Sequence, residues 1–199
     1  MVEIDEKLRG VLIGTAHKMA DAARAAILPY FRTDSLSTEN KAPGSFDPVT
    51  AADRGAEAAM RAVLAEARPD DGILCEEFGA KDGSTGLVWV IDPVDGTRGF
   101  ISGTPTWGVL IAVGDAQAGP VFGMIDQPYI GERFIGGLGE ASVDGPLGSV
   151  PLKTRAPRDL AEATLFSTFP EVGTQAEGEA FQRLSARCNL TRYGRDCYA

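Results

Sequence analysis

Residues 89–100 read W-V-I-D-P-V-D-G-T-R-G-F. An apolar run leads into Asp92, Pro93 fixes the backbone dihedral and forces a turn, and Asp95 follows three residues after Asp92. That spacing brings both carboxylates to one side with the Val94 carbonyl between them, a set of oxygen donors suited to a hard cation such as Mg²⁺. The stretch is not an EF-hand loop, because position 12 counted from Asp92 is Gly103 rather than Glu. Gly96-Thr97 comes next. A glycine and a hydroxyl residue opening a short helix present backbone N–H groups to an anion.

Upstream lie I-L-C-E-E-F-G at 73–79 and F-D-P-V-T-A-A-D at 46–53. Glu76 and Glu77 end a short apolar run, as Asp92 does. If the two runs pair as neighbouring strands, Glu76 arrives beside Asp92 and Asp95. Three clustered carboxylates repel, and one takes up a proton unless a cation holds them. The expectation is therefore a site for two or three Mg²⁺ ions. Metal ions next to a phosphate cradle imply metal-assisted phosphoester chemistry. Asp53, read as one turn after Thr50 on a helix, is placed to take a proton from Thr97 or from water. Each motif alone reads as a solvated turn or surface; the three together, in this order, carry the argument.

Around these motifs the chain reads as two helices followed by a mostly antiparallel sheet, an α+β layering. Apolar residues at helical spacing predict a helix over 4–31 that Pro29 kinks or ends. Residues 33–46 are polar and read as a loop. A second helix is expected to start at Asp47-Pro48 and stop at Arg68-Pro69. Short strands are expected at 73–75, 87–91, 107–113, 121–127, 133–136 and 165–169, and a helix at 177–187. Residues 138–163 read as irregular, and the domain boundary falls there: a unit over 1–155 carries most of the candidate ligands, and a second begins at 156–199.

Among the 199 residues, 19 basic side chains face 28 acidic ones, for a net charge of −9. A phosphate backbone needs a basic face, so nucleic acid is excluded as the main partner. The apolar runs are far shorter than the ~20 residues of a membrane span. The N-terminus lacks the pattern of a secretory signal. Three cysteines without a CxxC pair read as reduced thiols of a cytoplasmic protein.

The segment from Trp89 to Phe100, with the two upstream motifs in the same order, resembles the signature of the inositol monophosphatase superfamily of Mg²⁺-dependent, lithium-sensitive phosphatases. Three stretches, 95–108, 125–134 and 192–199, look most like its histidinol-phosphate phosphatase branch. The resemblance implies a layered αβαβα sandwich of the inositol monophosphatase and fructose-1,6-bisphosphatase type. It implies Glu76, Asp92, Asp95 and the Val94 carbonyl as metal ligands, with Glu76, Asp53 and Thr97 catalytic. Gly96 and Thr97 would face phosphate, and Lys41 matches a loop lysine near the site. The activity implied is hydrolysis of a small phosphorylated metabolite, L-histidinol phosphate, by direct in-line attack of water in histidine biosynthesis. A broader inositol monophosphatase-like activity is the alternative. A homodimer is expected. Asp196 is either the receptor for a cationic substrate group or a turn residue, and Arg98 is either a wall of the site or a surface ion-pair partner. His17 reads as a surface or partly packed residue. Family members continue past Ala199 with a further metal-ligating Asp. On that reading the C-terminal part of the sandwich is missing here, and a non-catalytic, metal- or partner-binding chain is a third possibility.

Overall fold

A computed structural model describes residues 2–33, 38–42, 45–155, 159–171 and 173–198. Helix α1 (Glu6–Ile27) opens where the Asp5 carboxylate accepts the Leu8 N–H at 2.7 Å, a cap that satisfies one orphan donor of the first turn. It closes before Pro29. Leu12, Ala16, Met19, Ala20, Ala23 and Ile27 recur along one face and are buried. Two short strands follow, β1 (Thr38–Ala42) and β2 (Ser45–Thr50), paired antiparallel. Helix α2 (Ala51–Ala67) then packs its buried Ala52, Ala56, Met60 and Leu64 against α1. The many alanines at this contact let the two helix axes approach closely.

The central sheet is seven-stranded in the order β3-β4-β5-β6-β7-β8-β9. Its strands are β3 (Gly72–Leu74), β4 (Leu87–Asp95), β5 (Gly108–Asp115), β6 (Gly119–Gln127), β7 (Glu132–Gly137), β8 (Glu140–Gly145) and β9 (Gly148–Pro151). The β3–β4 pair is parallel, and every other neighbouring pair is antiparallel. Helices α1 and α2 cover one face, over Leu87, Trp89, Ile91, Val109, Ile111 and Val113. The opposite face opens onto a groove of about 650 Å³ lined by Val90, Leu110, Ala112, Ile125 and Phe134 among others. The short helix α3 (Thr97–Ile101) joins β4 to β5. It is seated by an aromatic cluster: the Phe31, Phe100 and Trp107 rings lie 4.9–5.3 Å apart.

Beyond the sheet, β10 (Thr164–Phe166) and β11 (Leu190–Arg192) form a separate parallel pair connected through α4 (Gln175–Ser185). A full capping box at Thr174 and Glu177 starts α4.

Three expectations change. The second helix begins at Ala51 rather than at Asp47-Pro48, because those residues lie in β2; a residue before proline is biased to extended backbone. Thr50 therefore ends β2 and is not on the helix with Asp53. Residues 33–46, read as loop, contain β1 and the first residues of β2. Residues 138–163, read as irregular, contain β8 and β9, with a two-residue Pro146-Leu147 connection. These strands are polar and lie at the sheet margin, so they lack the apolar alternation that marks a half-buried strand.

Candidate metal and phosphate site

The parallel run of β3 beside β4 carries both strands out of the sheet at the same end. Its last register pair is Leu74 with Val90, and Glu76 and Asp92 each lie two residues further on. An antiparallel pairing would have sent them to opposite ends.

A bulge in β4 solves a second problem. In a regular strand, residues three apart point to opposite faces. Here Asp92 pairs with Leu110 and Asp95 with Gly108, so β4 holds one more residue than β5 in that interval. The burial record shows the change of phase: Leu87, Trp89, Ile91 and Pro93 are buried in alternation, then Val94 is buried too, leaving Asp92 and Asp95 both partly accessible. Pro93, which cannot donate to a ladder, sits at the irregularity, where proline is tolerated. The Asp92 Oδ1 accepts the Val94 N–H at 3.2 Å. The Thr97 hydroxyl donates to the Val94 carbonyl at 3.1 Å, which leaves that oxygen a second lone pair.

Gly96 makes the turn into α3 with φ +84°, and a Cβ there would stand 3.0 Å from Asp196 Oδ2 and 3.1 Å from the Thr106 carbonyl and Trp107 Cα. Glycine is required both for the backbone and for the approach of Asp196. The following residue is tied in as well: the Cys197 N–H donates to Asp95 Oδ2 at 2.8 Å. Burial and the charge of Asp95 push the Asp196 carboxyl above the usual carboxylate range, while Arg98 pulls the other way. Arg98 is exposed, and its guanidinium lies 5.7 Å from the Phe169 ring centroid. Burial, a hydrogen bond to Asp95, and the charges of Asp95, Asp92 and Asp196 drive the Cys197 thiol far above its ordinary value. Asp92, Asp95 and Asp196 thus share one neighbourhood.

Asp53 lies in the first turn of α2 and is buried, at 5% exposure. Glu76 is exposed on the segment after β3. Lys41 falls in β1, and its side chain lies outside the described residues. His17 is away from these groups, with its Nδ1 2.9 Å from Arg133 Nη1. Two residues that sequence reasoning passed over join the site. Cys197 anchors Asp95, across too much chain for any local signal. Glu57, one turn after Asp53 on α2, accepts the Glu77 and Phe78 N–H groups; its helical spacing from Asp53 was the available clue.

As the side chains stand, no three carboxylate, thiol or imidazole groups among the described residues close around a single point. The donor chemistry nonetheless fits a hard divalent cation. The gathered groups are the Asp92, Asp95 and Asp196 carboxylates and the Val94 carbonyl, oxygen donors of the kind such a cation takes, and it would offset the charge of neighbouring carboxylates.

Residues 10–197 match the model of the inositol monophosphatase family. A chloroplastic bifunctional phosphatase of Arabidopsis thaliana is 36% identical over 195 residues, covering 96% of this chain and 53% of its own length. The histidinol-phosphatase of Streptomyces coelicolor is 42% identical over 122 residues, 60% of this chain and 45% of that protein. This chain therefore spans about half the length of those two curated relatives. Among solved structures, an inositol monophosphatase from Zymomonas mobilis superposes with a TM-score of 0.79 at 37% identity, over 98% of this chain and 72% of that one. An inositol monophosphatase–fructose 1,6-bisphosphatase shares the fold with a TM-score of 0.73 over 92% of this chain and 68% of that one, at 21% identity. With the family model matched along almost the whole sequence and the carboxylates of its signature at the end of a shared strand pair, the chain belongs to the inositol monophosphatase family.

Proposed function

We propose that the protein is a Mg²⁺-dependent phosphomonoesterase acting on L-histidinol phosphate. The observation that supports the chemistry most strongly is the bulge in β4, which turns Asp92 and Asp95 to one side directly before Gly96 and Thr97. Glu76, Asp92, Asp95 and the Val94 carbonyl would hold two or three ions. The chemistry those ions supply when bound is Lewis acidity, which acidifies water and offsets charge on ester oxygens.

The chain's own groups do the rest. The N–H groups of Gly96 and Thr97 orient the phosphoryl group. Buried Asp53, with the Thr97 hydroxyl, takes the proton of the attacking water. Asp196 receives the cationic end of the substrate, and Arg98 forms the adjoining wall; the close approach of the Asp196 carboxylate to the Gly96 turn supports that reading. The reading extends to a cytoplasmic homodimer that serves histidine biosynthesis.

The test is phosphate release from L-histidinol phosphate and from myo-inositol 1-phosphate, with and without Mg²⁺. Release that needs Mg²⁺ and favours the histidinol ester is expected, and Asp196→Asn is expected to erode that preference. A broader inositol monophosphatase-like activity is the second reading, favoured by the likeness to the Zymomonas mobilis structure. Faster turnover of the inositol ester would select it.

A further inference from the structure

Glu57 is a fully buried carboxylate that none of the chemistry above uses. Its Oε2 accepts the Glu77 N–H at 3.0 Å. Its Oε1 accepts the Phe78 N–H at 3.1 Å, the Cys75 thiol at 2.6 Å and Arg61 Nε–H at 2.9 Å. Apart from Arg61, every one of these donors lies in residues 75–78, the stretch that leaves β3 and carries Glu76. Arg61 extends the grip, with Nη2 2.6 Å from Cys75 Sγ and a hydrogen bond to the Gly79 carbonyl. On the same side of α2, Arg54 Nε lies 3.6 Å from Glu77 Oε2. Positions 54, 57 and 61 follow helical spacing, so one stripe of α2 holds one short segment.

A buried carboxylate is costly unless its oxygens are well supplied with donors. Burial would raise the Glu57 carboxyl, but Cys75, Arg61 and the two amides outweigh it and hold it below its usual range. The anion is thus a fixed point to which two consecutive amides are fastened. Strand β3 is only three residues long, and Glu76 itself is exposed, so the segment has little sheet pairing to hold it. The same helix carries Asp53 one turn earlier, so α2 sets the relation between Asp53 and the Glu76 segment.

We infer that Glu57 is a positioning residue for Glu76: its carboxylate clamps the Cys75–Phe78 backbone so that Glu76 is presented to the divalent cation. This rests on the proposed role of Glu76, and the experiment separates the two.

Glu57→Gln, Glu57→Asp and Asp92→Asn are made in the full chain. Amide hydrogen exchange of Glu77 and Phe78 is measured without metal, and Mg²⁺ affinity is measured by titration calorimetry. In Glu57→Gln, a nitrogen must face a donor, because all four partners are donors. Exchange at Glu77 and Phe78 is expected to accelerate while Val109–Val113 in β5 stays protected. Mg²⁺ affinity is expected to fall ~10–100-fold, with the Mg²⁺ concentration for half-maximal turnover shifting in step and the ester KM at saturating Mg²⁺ unchanged. Glu57→Asp is expected to show the same two shifts at smaller size, and it decides the matter if Glu57→Gln does not fold. Faster exchange with unchanged Mg²⁺ affinity would make Glu57 a structural residue only and overturn the inference. If Asp92→Asn weakens Mg²⁺ binding and the Glu57 variants do not, this inference alone fails. If Asp92→Asn has no effect on binding either, the metal reading fails and takes the inference with it.

Discussion

The backbone N–H of Cys197 donates to Asp95 Oδ2 at 2.8 Å, joining groups 102 positions apart in sequence. This bond fixes one carboxylate oxygen of the site. A hydrogen bond to a charged acceptor contributes ~1.5–3 kcal/mol. Cys197→Pro removes the donor, whereas Cys197→Ala keeps it and loses only the thiol. Mg²⁺ affinity is expected to drop ~10-fold or more in the proline variant and only a few-fold in the alanine variant. Calorimetric titration of the two proteins checks the order; equal losses would mean that the amide does not hold Asp95.

Gly96→Ala places a methyl group 3.0 Å from Asp196 Oδ2 and 3.1 Å from the Thr106 carbonyl, at φ +84°. The left-handed backbone alone costs ~1–2 kcal/mol for a non-glycine residue. A fall in melting temperature of roughly 4–8 °C is expected for a total near 2 kcal/mol. Thermal unfolding followed by circular dichroism measures it. Turnover is expected to fall further than the stability loss explains, because Asp196 is displaced from the site.

Asp71 ties the sheet to the end of α2. Its carboxylate accepts from Arg68 Nε and Nη2 at 2.8 Å, from Thr85 Oγ1 at 2.7 Å and from Trp89 Nε1 at 2.9 Å. Burial would raise its carboxyl, yet Arg68, Thr85 and Trp89 outweigh burial and hold it low. Asp71→Ala leaves those donors unpaired at a site 1% exposed, and a loss of ~3–5 kcal/mol is expected. Urea unfolding of the variant measures it, and a loss under about 1 kcal/mol would show the network to be dispensable.

Asp115 sets a limit on acid stability. The amides of Gln117, Val2 and Ala118 hold its carboxyl down to about 2, and the Val2 bond, at 2.6 Å, fastens the N-terminal segment to the β5–β6 turn. In the unfolded chain an aspartate titrates near ~3.9. The folded state therefore binds the proton less readily. Stability from this group is complete above the unfolded value and is lost as the pH falls toward about 2. An NMR titration of the Asp115 carboxyl carbon is expected to show the low midpoint, and Asp115→Asn is expected to flatten the acid limb of the stability curve between pH ~4 and ~2.

Much of the site was legible because its chemistry is local. Asp92, Val94, Asp95, Gly96 and Thr97 fall within six residues, and their types and order point to a cation beside an anion. The long helices were legible from the helical spacing of their apolar residues, and α1 and α2 each bury one such face. What was not legible depends on distant pairing. Nothing in residues 73–75 states that they run parallel to β4, and nothing in Asp92-Pro93-Val94-Asp95 states that a bulge is needed. Strands β8 and β9 escaped because Glu140, Asp144 and Ser149 give no apolar alternation. Glu57 escaped because a glutamate at helical spacing from Arg61 reads as a solvated pair, whereas here it is sealed under the segment after β3.

The sheet's topology has a consequence for how the molecule assembles in time. Strands β4 to β9 close through successive hairpins, so their contacts are short in sequence and form early. The Cys197–Asp95 bond closes a loop of 102 positions, and that closure comes at greater entropic cost. Both tryptophans, Trp89 and Trp107, sit inside the hairpin-built part of the core. During refolding their fluorescence should recover while the chain is still unable to capture a cation, so that a lag separates a compact globule from a competent one.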